Sequence, residues 1–225
     1  MPNFNIIKKS DINKTFRVAK VMSDFDVKPE HSQEHFEGNI EFPEKWNIGL
    51  ICGGSGTGKT TIINEIFKDN IIKNFEYDDN SVLDNMPKEK TTEEIEKMFY
   101  SVGFGSVPNW LKPYKVLSNG EKMRVDLARA LLEKDFIVFD EFTSVVDRQV
   151  AKTACMAINK AIKNTDKKFI AVSCHKDIIE WLQPDWLYDT DSMQQVFQLA
   201  HDQEKNIKSG NVGENNGKNL ESIII

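Results

Sequence analysis

The sequence CGGSGTGKTT, residues 52–61, constrains the fold of this chain more than any other stretch. Residues 53–60 match the pattern G-x-x-x-x-G-K-[ST] at every position. The apolar run NIGLICGG leads into the glycines, and TTIINEIF after them has the apolar spacing of a helix, which disfavours a chance match. A strand, a glycine-rich turn and a helix in this order predict a phosphate-binding loop within an α/β domain.

The residues of this loop have distinct expected tasks. Backbone N–H groups wrap a β-phosphate, which requires glycines because side chains would block the approach. Lys59 is expected to reach the β- and γ-phosphates, the Thr60 hydroxyl to bind Mg²⁺, and Thr61 to contact the α-phosphate. The expected nucleotide-binding residues of the loop are Gly53, Gly54, Ser55, Gly56, Thr57, Gly58, Lys59, Thr60 and Thr61.

Two adjacent carboxylates follow an apolar strand in FIVFDE, residues 136–141. Such a strand ends at the sheet edge that carries the glycine loop, where Asp140 would hold the water shell of Mg²⁺. Glu141 would lie next to the γ-phosphate and polarise an attacking water. The alternative is a pair of solvated acids at a strand end.

A second anion site is predicted at LSNGE, residues 117–121, where a helix over residues 117–134 begins. Ser118 and Glu121 have capping-box spacing, and Gly120 has no side chain to cover the helix N-terminus. Two phosphate sites for one nucleotide would be redundant within a single chain. Across a head-to-tail dimer, the second site would close over the γ-phosphate held by the other subunit.

The remaining apolar patterns alternate strands with helices and predict a mainly parallel sheet. We expect an early strand within residues 16–27 and a second buried strand at KKFIAVSCH. One helix is expected to begin at a Thr92 cap. A later helix would have one apolar face formed by Val150, Ala154, Ala157, Ile158 and Ala161.

Composition excludes several classes of protein. A chain of 225 residues with 40% hydrophobic and 28% charged residues has the composition of a soluble globular protein. No apolar run approaches the roughly 20 residues of a membrane span, and the N-terminus lacks a signal peptide's apolar segment. We therefore expect a cytoplasmic protein with no direct membrane insertion. The net charge of −6 does not indicate nucleic-acid binding.

Cysteine and histidine usage gives no metal site. The three cysteines, Cys52, Cys155 and Cys174, lie far apart among apolar neighbours and are expected to be reduced core residues. His31 and His35 lie four residues apart in KPEHSQEH, which is expected to be a polar loop. The Gly/Asn-rich residues 201–225 are expected to form a mobile tail after one domain over residues 1–200.

The order of these motifs resembles that of the ATP-binding cassette, or ABC, ATPases. The resemblance covers about residues 16–190: CGGSGTGKT, LSNGE with KMRVDLARAL, FIVFDE, SVVD and the histidine after FIAVSC. It implies a P-loop NTPase fold with a mainly parallel sheet core, an antiparallel β edge and a reduced helical subdomain over about residues 78–135. It also implies ATP and Mg²⁺ as cofactors and a homodimer that forms on ATP binding.

The resemblance carries residue roles with it. Lys59 and Thr60 match the Walker A pair, and Asp140 matches the Walker B aspartate. Glu141 matches the catalytic glutamate, and His175 matches the switch histidine that donates a hydrogen bond to the γ-phosphate. These matches make Lys59, Glu141 and His175 the expected catalytic residues.

Further matches concern the nucleotide's other contacts. Ser118 and Gly120 match the signature, and Asp147 matches the D-loop aspartate. Phe25 matches the position of an aromatic residue that stacks on adenine, although a core phenylalanine is an alternative for this residue.

The chain also departs from the family's pattern. Residues 61–116 contain no glutamine, although the family has one after a strand there, and Asp84 or Asn85 would substitute. Ser118 follows Lys59 by only 59 residues, which implies the reduced helical subdomain. The signature has Asn119 where glycine is usual and Glu121 where glutamine is common.

The stretches DEFTSVVDRQVA and SCHKDIIEWLQPDW resemble a stand-alone group of these ATPases, some of which are fused to a predicted acetyltransferase domain. Trp181 and Trp186 would either anchor the last helix in the core or form a docking surface for a partner.

The expected function is therefore an ATPase that dimerises on MgATP and drives an unknown protein partner. The nucleotide-binding subunit of a transporter is the alternative. A small-molecule kinase would have no use for LSNGE and SVVD, and phosphate transfer to a metabolite would be the result that favours it. A DNA-repair cassette would need a coiled-coil insertion that 59 residues do not contain.

Overall fold

The computed structural model describes residues 2–9, 15–27, 33–72, 75–163 and 165–197. Within these residues the strands are β1 (Asn3–Lys9), β2 (Gln33–Asn39), β3 (Ile48–Cys52), β4 (Phe136–Phe139), β5 (Lys168–Ser173), β6 (Trp186–Asp189) and β7 (Gln194–Phe197). The helices are α1 (Phe16–Asp24), α2 (Lys59–Ile66), α3 (Thr92–Ser101), α4 (Val107–Trp110), α5 (Asn119–Glu133), α6 (Arg148–Ile162) and α7 (Ile178–Leu182). Among these helices, none combines the length and apolar character that a membrane crossing requires.

A five-stranded sheet forms the centre of the fold, in the order β4-β5-β3-β6-β7. Neighbouring strands from β4 to β6 are parallel, and β7 pairs with β6 in the antiparallel direction. This topology confirms the predicted mainly parallel sheet with an antiparallel edge. It also brings the carboxyl ends of β3, β4 and β5 to one edge of the sheet.

Both faces of this sheet are covered, which is why all five residues of β3 are buried. On one face, Ile48 and Leu50 belong to an apolar cluster that includes buried residues of α3, α5 and α6. On the other face, Ile51 belongs to a cluster that includes Ile62 and Ile63 of α2. The central strand and the loop that follows it are therefore held from both sides.

A second, two-stranded antiparallel sheet consists of β1 and β2. Phe4 of β1 and Phe36 of β2 are buried in the same cluster as α2. The Phe4 ring meets the Tyr188 ring edge-on, with 6.1 Å between the centroids. The small sheet is thus packed beside the glycine loop.

Two long helices follow the predicted patterns. The helix predicted over residues 117–134 is confirmed as α5, and its buried residues include Val125, Leu127 and Leu131. The helix predicted around residues 150–161 is confirmed as α6. Its buried face differs in part, because the fully buried residues are Ala151, Ala154, Cys155, Ile158 and Ile162.

The prediction of a strand within residues 16–27 is wrong, because this stretch forms the helix α1. The Thr15 side chain accepts a hydrogen bond from the Val18 N–H at 3.3 Å and caps the helix. The apolar residues fit helical spacing as well as alternation, and no residue of α1 is buried. Burial therefore favours neither pattern, and the local cap favours the helix.

Smaller predictions also need correction. The cap of α3 is Thr91, whose side chain and that of Glu94 form a capping box, and not Thr92. Cys52 and Cys155 are buried as predicted, but Cys174 is exposed because it lies in the loop after β5. His35 lies in β2 and not in a loop.

The remaining predictions concern the two tryptophans, His31 and the C-terminal tail, and their outcomes differ. Trp186 is fully buried, which confirms the core alternative for this residue. Trp181 is only partly buried and lies under the Arg148 guanidinium, 5.3 Å from the ring centroid. His31 and the predicted tail over residues 201–225 lie outside the described residues.

Candidate functional site

The glycine loop connects β3 to α2 with a backbone that only glycine adopts easily. Gly56 and Gly58 have φ angles of +83° and +84°, in the left-handed region. A Cβ atom on Gly58 would lie 2.4 Å from the Phe36 ring, so this position also requires the absence of a side chain. The loop thus leads its backbone N–H groups to the start of α2, where a helix N-terminus favours an anion.

Two side chains of α2 begin the site. The Lys59 Nζ donates to the Gly53 carbonyl at 2.8 Å and also to the Gly54 carbonyl, so the ammonium group lies against the loop. The Thr60 hydroxyl donates to the Asp140 carboxylate at 2.9 Å. Lys59 and Asp140 are therefore brought to the same loop, although 80 residues separate Thr60 from Asp140.

The end of β4 presents the two predicted carboxylates. The Glu141 N–H donates to Oδ1 of Asp140 at 2.9 Å, which orients the aspartate toward Thr60. Glu141 itself has a φ of +51°, a conformation that a non-glycine residue adopts at an energetic cost. Ser144 stabilises this turn, because its hydroxyl donates to the Glu141 carbonyl at 2.7 Å.

A cavity of about 400 Å³ lies between the glycine loop, the end of β4 and the small sheet. It brings together Lys59, Thr60, Asp140 and Glu141, so the predicted phosphate, metal and base residues share one space. The described residues that line it are Lys8, Glu34, Ser55, Gly56, Gly58, Lys59, Thr60, Thr61, Asp140, Glu141, Ser144, Val172, Ser173 and Cys174.

The N-terminus of α5 is built differently. Ser118 and Glu121 form a complete capping box, in which the Glu121 carboxylate accepts from both the Ser118 N–H at 2.9 Å and the Ser118 hydroxyl at 2.7 Å. The hydrogen bonds from Ser118 lower the pKa of Glu121. A Cβ atom on Gly120 would lie 2.9 Å from Val150, so Gly120 permits close packing of α5 on α6. Neither Ser118 nor Gly120 lines the described cavity.

Two other predicted residues lie in adjacent loops. Asp147 caps α6, where its side chain accepts from the Val150 N–H at 2.9 Å. His175 follows β5, and its N–H donates to the Ser173 hydroxyl at 3.1 Å. Ser173 and Cys174 line the cavity, whereas His175 lies one residue beyond the lining.

Three predicted positions are not among the described residues that line this cavity. The side chain of Phe25 is 75% exposed at the end of α1, so Phe25 is not a core residue, and it is not among the lining residues. Asp84 and Asn85 lie in a polar turn, where the Asn85 amide binds Asp78 and the Asp84 carboxylate accepts from the Ser81 hydroxyl.

Residues after β6 contact the glycine loop and were missed in the sequence. The Asp191 carboxylate accepts from the Gly54 N–H at 2.8 Å. The hydroxyls of Thr190 and Thr57 are 2.6 Å apart, and the Lys176 ammonium lies 3.4 Å from Asp191. The polar run DTDS at the end of an apolar stretch was the available signal, because the ends of parallel strands meet at one edge.

The metal preference of the site follows from its donors. Among the described residues, no group of three or more histidine, cysteine or acidic side chains forms a candidate metal site. One hydroxyl and one carboxylate, Thr60 and Asp140, are nevertheless the oxygen donors that suit Mg²⁺, which keeps most of its waters.

Comparison with known proteins identifies the fold. No family model matches the chain. An uncharacterized ABC transporter ATP-binding protein of Haemophilus influenzae is 42% identical over 59 residues, which span 26% of this chain and only 24% of that protein.

Solved structures match over a larger part of the chain. The dimeric structure of MJ0796, a bacterial ABC transporter cassette, has a TM-score of 0.54 at 16% identity and covers 69% of this chain and 87% of that one. The ADP conformation of MJ1267, an ATP-binding cassette of an ABC transporter, has a TM-score of 0.53 at 20% identity, over 73% of this chain and 82% of that one. With the central sheet and its glycine loop, these similarities show that the chain has the fold of the ATP-binding cassette ATPases.

Proposed function

We propose that this protein is an ABC-type ATPase of the cytoplasm that binds MgATP, closes as a head-to-tail homodimer and passes the resulting motion to a protein partner. The observation that carries the proposal is the 2.9 Å contact between Thr60 and Asp140. It unites the glycine loop with the carboxylates of β4 in one cavity that Glu141 also lines. A phosphate loop, a Mg²⁺ pair and a general base in one space suit phosphoanhydride hydrolysis.

Magnesium would be held by the Thr60 hydroxyl and by Asp140, directly or through water. When bound, the ion neutralises charge on the β- and γ-phosphate oxygens. The Lys59 ammonium now rests on carbonyls of the loop and would turn to the same phosphates.

Hydrolysis would use Glu141 as the base. Its carboxylate accepts a proton from a water that attacks the γ-phosphorus, while the bond from that phosphorus to ADP breaks and inorganic phosphate leaves. Glu141, whose backbone has a positive φ, lines the cavity. His175 would donate a hydrogen bond to the γ-phosphate after movement of the loop that follows β5.

Dimer closure is supported by the separation of two anion sites in one chain. The N-terminus of α5, with Ser118 and Gly120, lies outside the lining of the nucleotide cavity. A partner subunit would supply the same helix end to the γ-phosphate, with Asp147 near the shared boundary. The similar cassette MJ0796 was solved as a dimer.

The proposed ATPase occupies one domain of this chain. Residues 1–200 would form the ATPase domain, with a reduced helical subdomain over about residues 78–135 and a polar tail at 201–225. Helices α3, α4 and α5 fall within the proposed subdomain. These features do not identify the protein partner, and they do not indicate nucleic-acid binding.

The nucleotide-binding subunit of a transporter is the alternative, because the relative from Haemophilus influenzae and the two solved cassettes are named as transporter components. The missing glutamine and the short region between the motifs favour the first proposal. Co-purification with a membrane protein, followed by ATPase stimulation in that complex, would favour the transporter.

The test is the mass of the Glu141→Gln chain by light scattering, with and without MgATP. We expect the mass to double with MgATP and to stay monomeric when Ser118→Arg is added. Ser106→Arg is the matched control, because Ser106 also precedes a helix and is exposed. Wild-type phosphate release should exceed that of Glu141→Gln by about 100-fold or more.

Two outcomes would contradict parts of the proposal. A monomer under both conditions, together with absent phosphate release by the wild type, would overturn it. A monomer that still releases phosphate would overturn homodimer closure and leave the ATPase.

A further inference from the structure

The loop that carries His175 is attached to α6 by a residue two positions later in the chain. One oxygen of the Asp177 carboxylate accepts from Nε of Arg148 at 2.8 Å, and the other oxygen accepts from Nη2 of the same guanidinium. Two parallel hydrogen bonds of this kind fix both the distance and the orientation of the two groups. Because Arg148 is the first residue of α6, the pair sets the position of the loop relative to that helix.

An aromatic ring completes this contact. Trp181 lies in α7, four residues after Asp177, and its ring centroid is 5.3 Å from the central carbon of the Arg148 guanidinium. A planar guanidinium packs on an aromatic face in a way that the ammonium group of a lysine does not reproduce. Arg148 is therefore held by two residues of the segment that follows His175.

The exposure of the pair argues against a main role in the stability of the fold. The side chains of Arg148 and Asp177 are 39% and 45% exposed. Ion pairs at such positions add little to stability, because water and salt screen the two charges. The two-pronged contact nevertheless restrains the orientation of the short loop between β5 and α7.

The two partners adjoin residues that have proposed roles at different places. Arg148 directly follows Asp147, which caps α6 and is proposed to lie near the boundary with the partner subunit. Asp177 follows His175 by two residues, and His175 is proposed to move toward the γ-phosphate. A displacement of the segment at Asp147 would therefore be transmitted through the pair to the loop that carries His175.

A second contact holds the same loop on its other side. The Lys176 ammonium lies 3.4 Å from Asp191, whose carboxylate accepts from the Gly54 N–H of the glycine loop. Lys176 and Asp177 thus connect one loop to the nucleotide site and to α6. The position of His175 between these anchors consequently depends on how α6 stands relative to the glycine loop.

We propose that Arg148 and Asp177 are positioning residues, which couple subunit closure at Asp147 to the approach of His175 to the γ-phosphate. This inference rests on the proposed function, because it concerns the same nucleotide and the same closure. Breaking the pair should leave ATP binding and the MgATP-bound dimer in place and uncouple them from the movement of the loop. For Arg148→Met we expect a kcat of phosphate release about tenfold below wild type, with a KM within about twofold.

Cys174 provides a reporter beside His175 that does not depend on activity. It is exposed, whereas Cys52 and Cys155 are buried, so a maleimide should label Cys174 first. The labelling rate would be measured in the Glu141→Gln chain with and without MgATP. The same measurement with Ser118→Arg added gives the protection that the nucleotide provides without closure.

Closure should slow the labelling further, because it draws the loop into the site. We expect the MgATP-bound dimer to label about tenfold or more slowly than the MgATP-bound Ser118→Arg monomer. With Arg148→Met added to the Glu141→Gln chain, the mass should still double on MgATP. The additional protection of the thiol should then fall to about twofold or less.

The matched control is a second arginine with similar contacts elsewhere in the fold. Arg129 of α5 pairs with Glu133 at 2.9 Å and lies over the Phe75 ring, 4.6 Å from its centroid. Arg129→Met and Glu133→Ala should leave kcat and the protection of the thiol unchanged. Thermal unfolding of each variant would report any loss of folding.

Two further substitutions separate the geometry of the pair from its charge. Asp177 makes no side-chain capping hydrogen bond to α7, so Asp177→Ala removes the ion pair without removing a helix cap. It should therefore reproduce the effects of Arg148→Met. Arg148→Lys keeps the charge without the two-pronged contact and should have a kcat between those of Arg148→Met and the wild type.

Failure of this inference and failure of the proposed function give different results. An Arg148→Met dimer in which the thiol is as protected as in its parent, or an unchanged kcat for Arg148→Met, would overturn the positioning role and leave the ATPase. Loss of the dimer in Arg148→Met would also overturn it, because the pair would then act in closure itself. Absence of a dimer in the Glu141→Gln chain would overturn homodimer closure and this inference together.

Discussion

At the residue scale, Glu121 places a negative charge at the helix end that is proposed to meet another subunit's γ-phosphate. Its carboxylate accepts from the Ser118 N–H and hydroxyl. These contacts lower its pKa, so Glu121 is ionised at neutral pH. The charge caps α5 well, because carboxylates stabilise helix N-termini, but it repels an incoming phosphate.

Replacing this charge should strengthen dimer closure. In the Glu141→Gln chain, Glu121→Gln keeps a residue that can complete the capping box and removes the repulsion. We expect the dissociation constant of the MgATP-bound dimer to fall about three- to tenfold at low salt, and by less at high salt. Analytical ultracentrifugation at two salt concentrations measures this constant.

Glu94→Gln is the control, because Thr91 and Glu94 form the same capping box at the start of α3. A dimer weakened or left unchanged by Glu121→Gln would contradict the placement of this helix end at the phosphate.

At the scale of elements, the turn between β6 and β7 acts as a brace for the glycine loop. Asp191 accepts from the Gly54 N–H at 2.8 Å, and Thr190 contacts both Thr57 and the Cys52 carbonyl. Lys176 lies 3.6 Å from Asp189 and 3.4 Å from Asp191, so it links the brace to the loop after β5. The position of the glycine loop thus depends on a turn about 137 residues later in the chain.

Asp191→Ala should loosen the loop without unfolding the protein. We expect the KM for ATP to rise about three- to tenfold with little change in kcat, because a loop that is less ordered binds phosphate less well. Asp191→Asn retains a carbonyl acceptor for the Gly54 N–H and should stay near wild type. Steady-state phosphate release measures both constants, and equal effects of the two substitutions would contradict the brace.

A second element-scale contact joins the segment before α3 to α5. The hydroxyls of Tyr77 and Tyr114 donate to the two oxygens of the Asp126 carboxylate at 2.8 and 2.7 Å. The two rings stack with 3.9 Å between their centroids. Burial raises the pKa of Asp126, although both hydroxyl contacts oppose that shift.

This raised pKa predicts a pH-dependent stability. A carboxyl whose folded pKa exceeds the unfolded value of 3.8 stabilises the fold below that value, and this contribution is lost as pH rises through the folded pKa. Relative to Asp126→Asn, which does not titrate, the wild type should lose unfolding free energy across this window. Urea unfolding between about pH 4 and pH 7 measures the difference.

Asp135 provides the opposite sign as a control. Its contact with Lys167 lowers its pKa, so the wild type should gain stability relative to Asp135→Asn as pH rises. A stability difference for Asp126→Asn that does not change with pH would contradict the shift.

At the scale of the whole molecule, the head-to-tail arrangement predicts complementation between two inactive chains. Lys59→Met removes the phosphate loop's cation, and Ser118→Arg blocks the α5 end. In a mixed dimer, one of the two sites would combine an intact loop from one chain with an intact Ser118 from the other. The mixture should therefore recover up to about a quarter of wild-type phosphate release.

Each variant alone would have both sites defective, so the sum of their separate activities is the baseline. Recovery that is absent at all mixing ratios would favour an arrangement in which one chain provides every group. A mixture of Lys59→Met with Glu141→Gln is the control, because both changes affect the same half of a site.

The amino-acid pattern was sufficient for features that depend on neighbours in the chain. The glycine loop, the capping box of α5, the strand before Asp140 and the mainly parallel sheet follow from local spacing and from strands alternating with helices. These features are predictable because hydrogen bonds within a few residues and burial of apolar faces stabilise them. Residues 16–27 show the limit, since their apolar residues fit helical spacing as well as alternation and no residue of α1 is buried.

Contacts between distant segments required the tertiary structure. The packing of Phe36 against Gly58 and the brace from Asp191 come from the pairing register of the small sheet and the order of the central strands. Register and strand order are decided by complementary packing across the whole core, and no single segment encodes them. The phosphate-binding residues of the site could therefore be predicted from local sequence, whereas the contacts that hold the glycine loop in place became visible only in the folded chain.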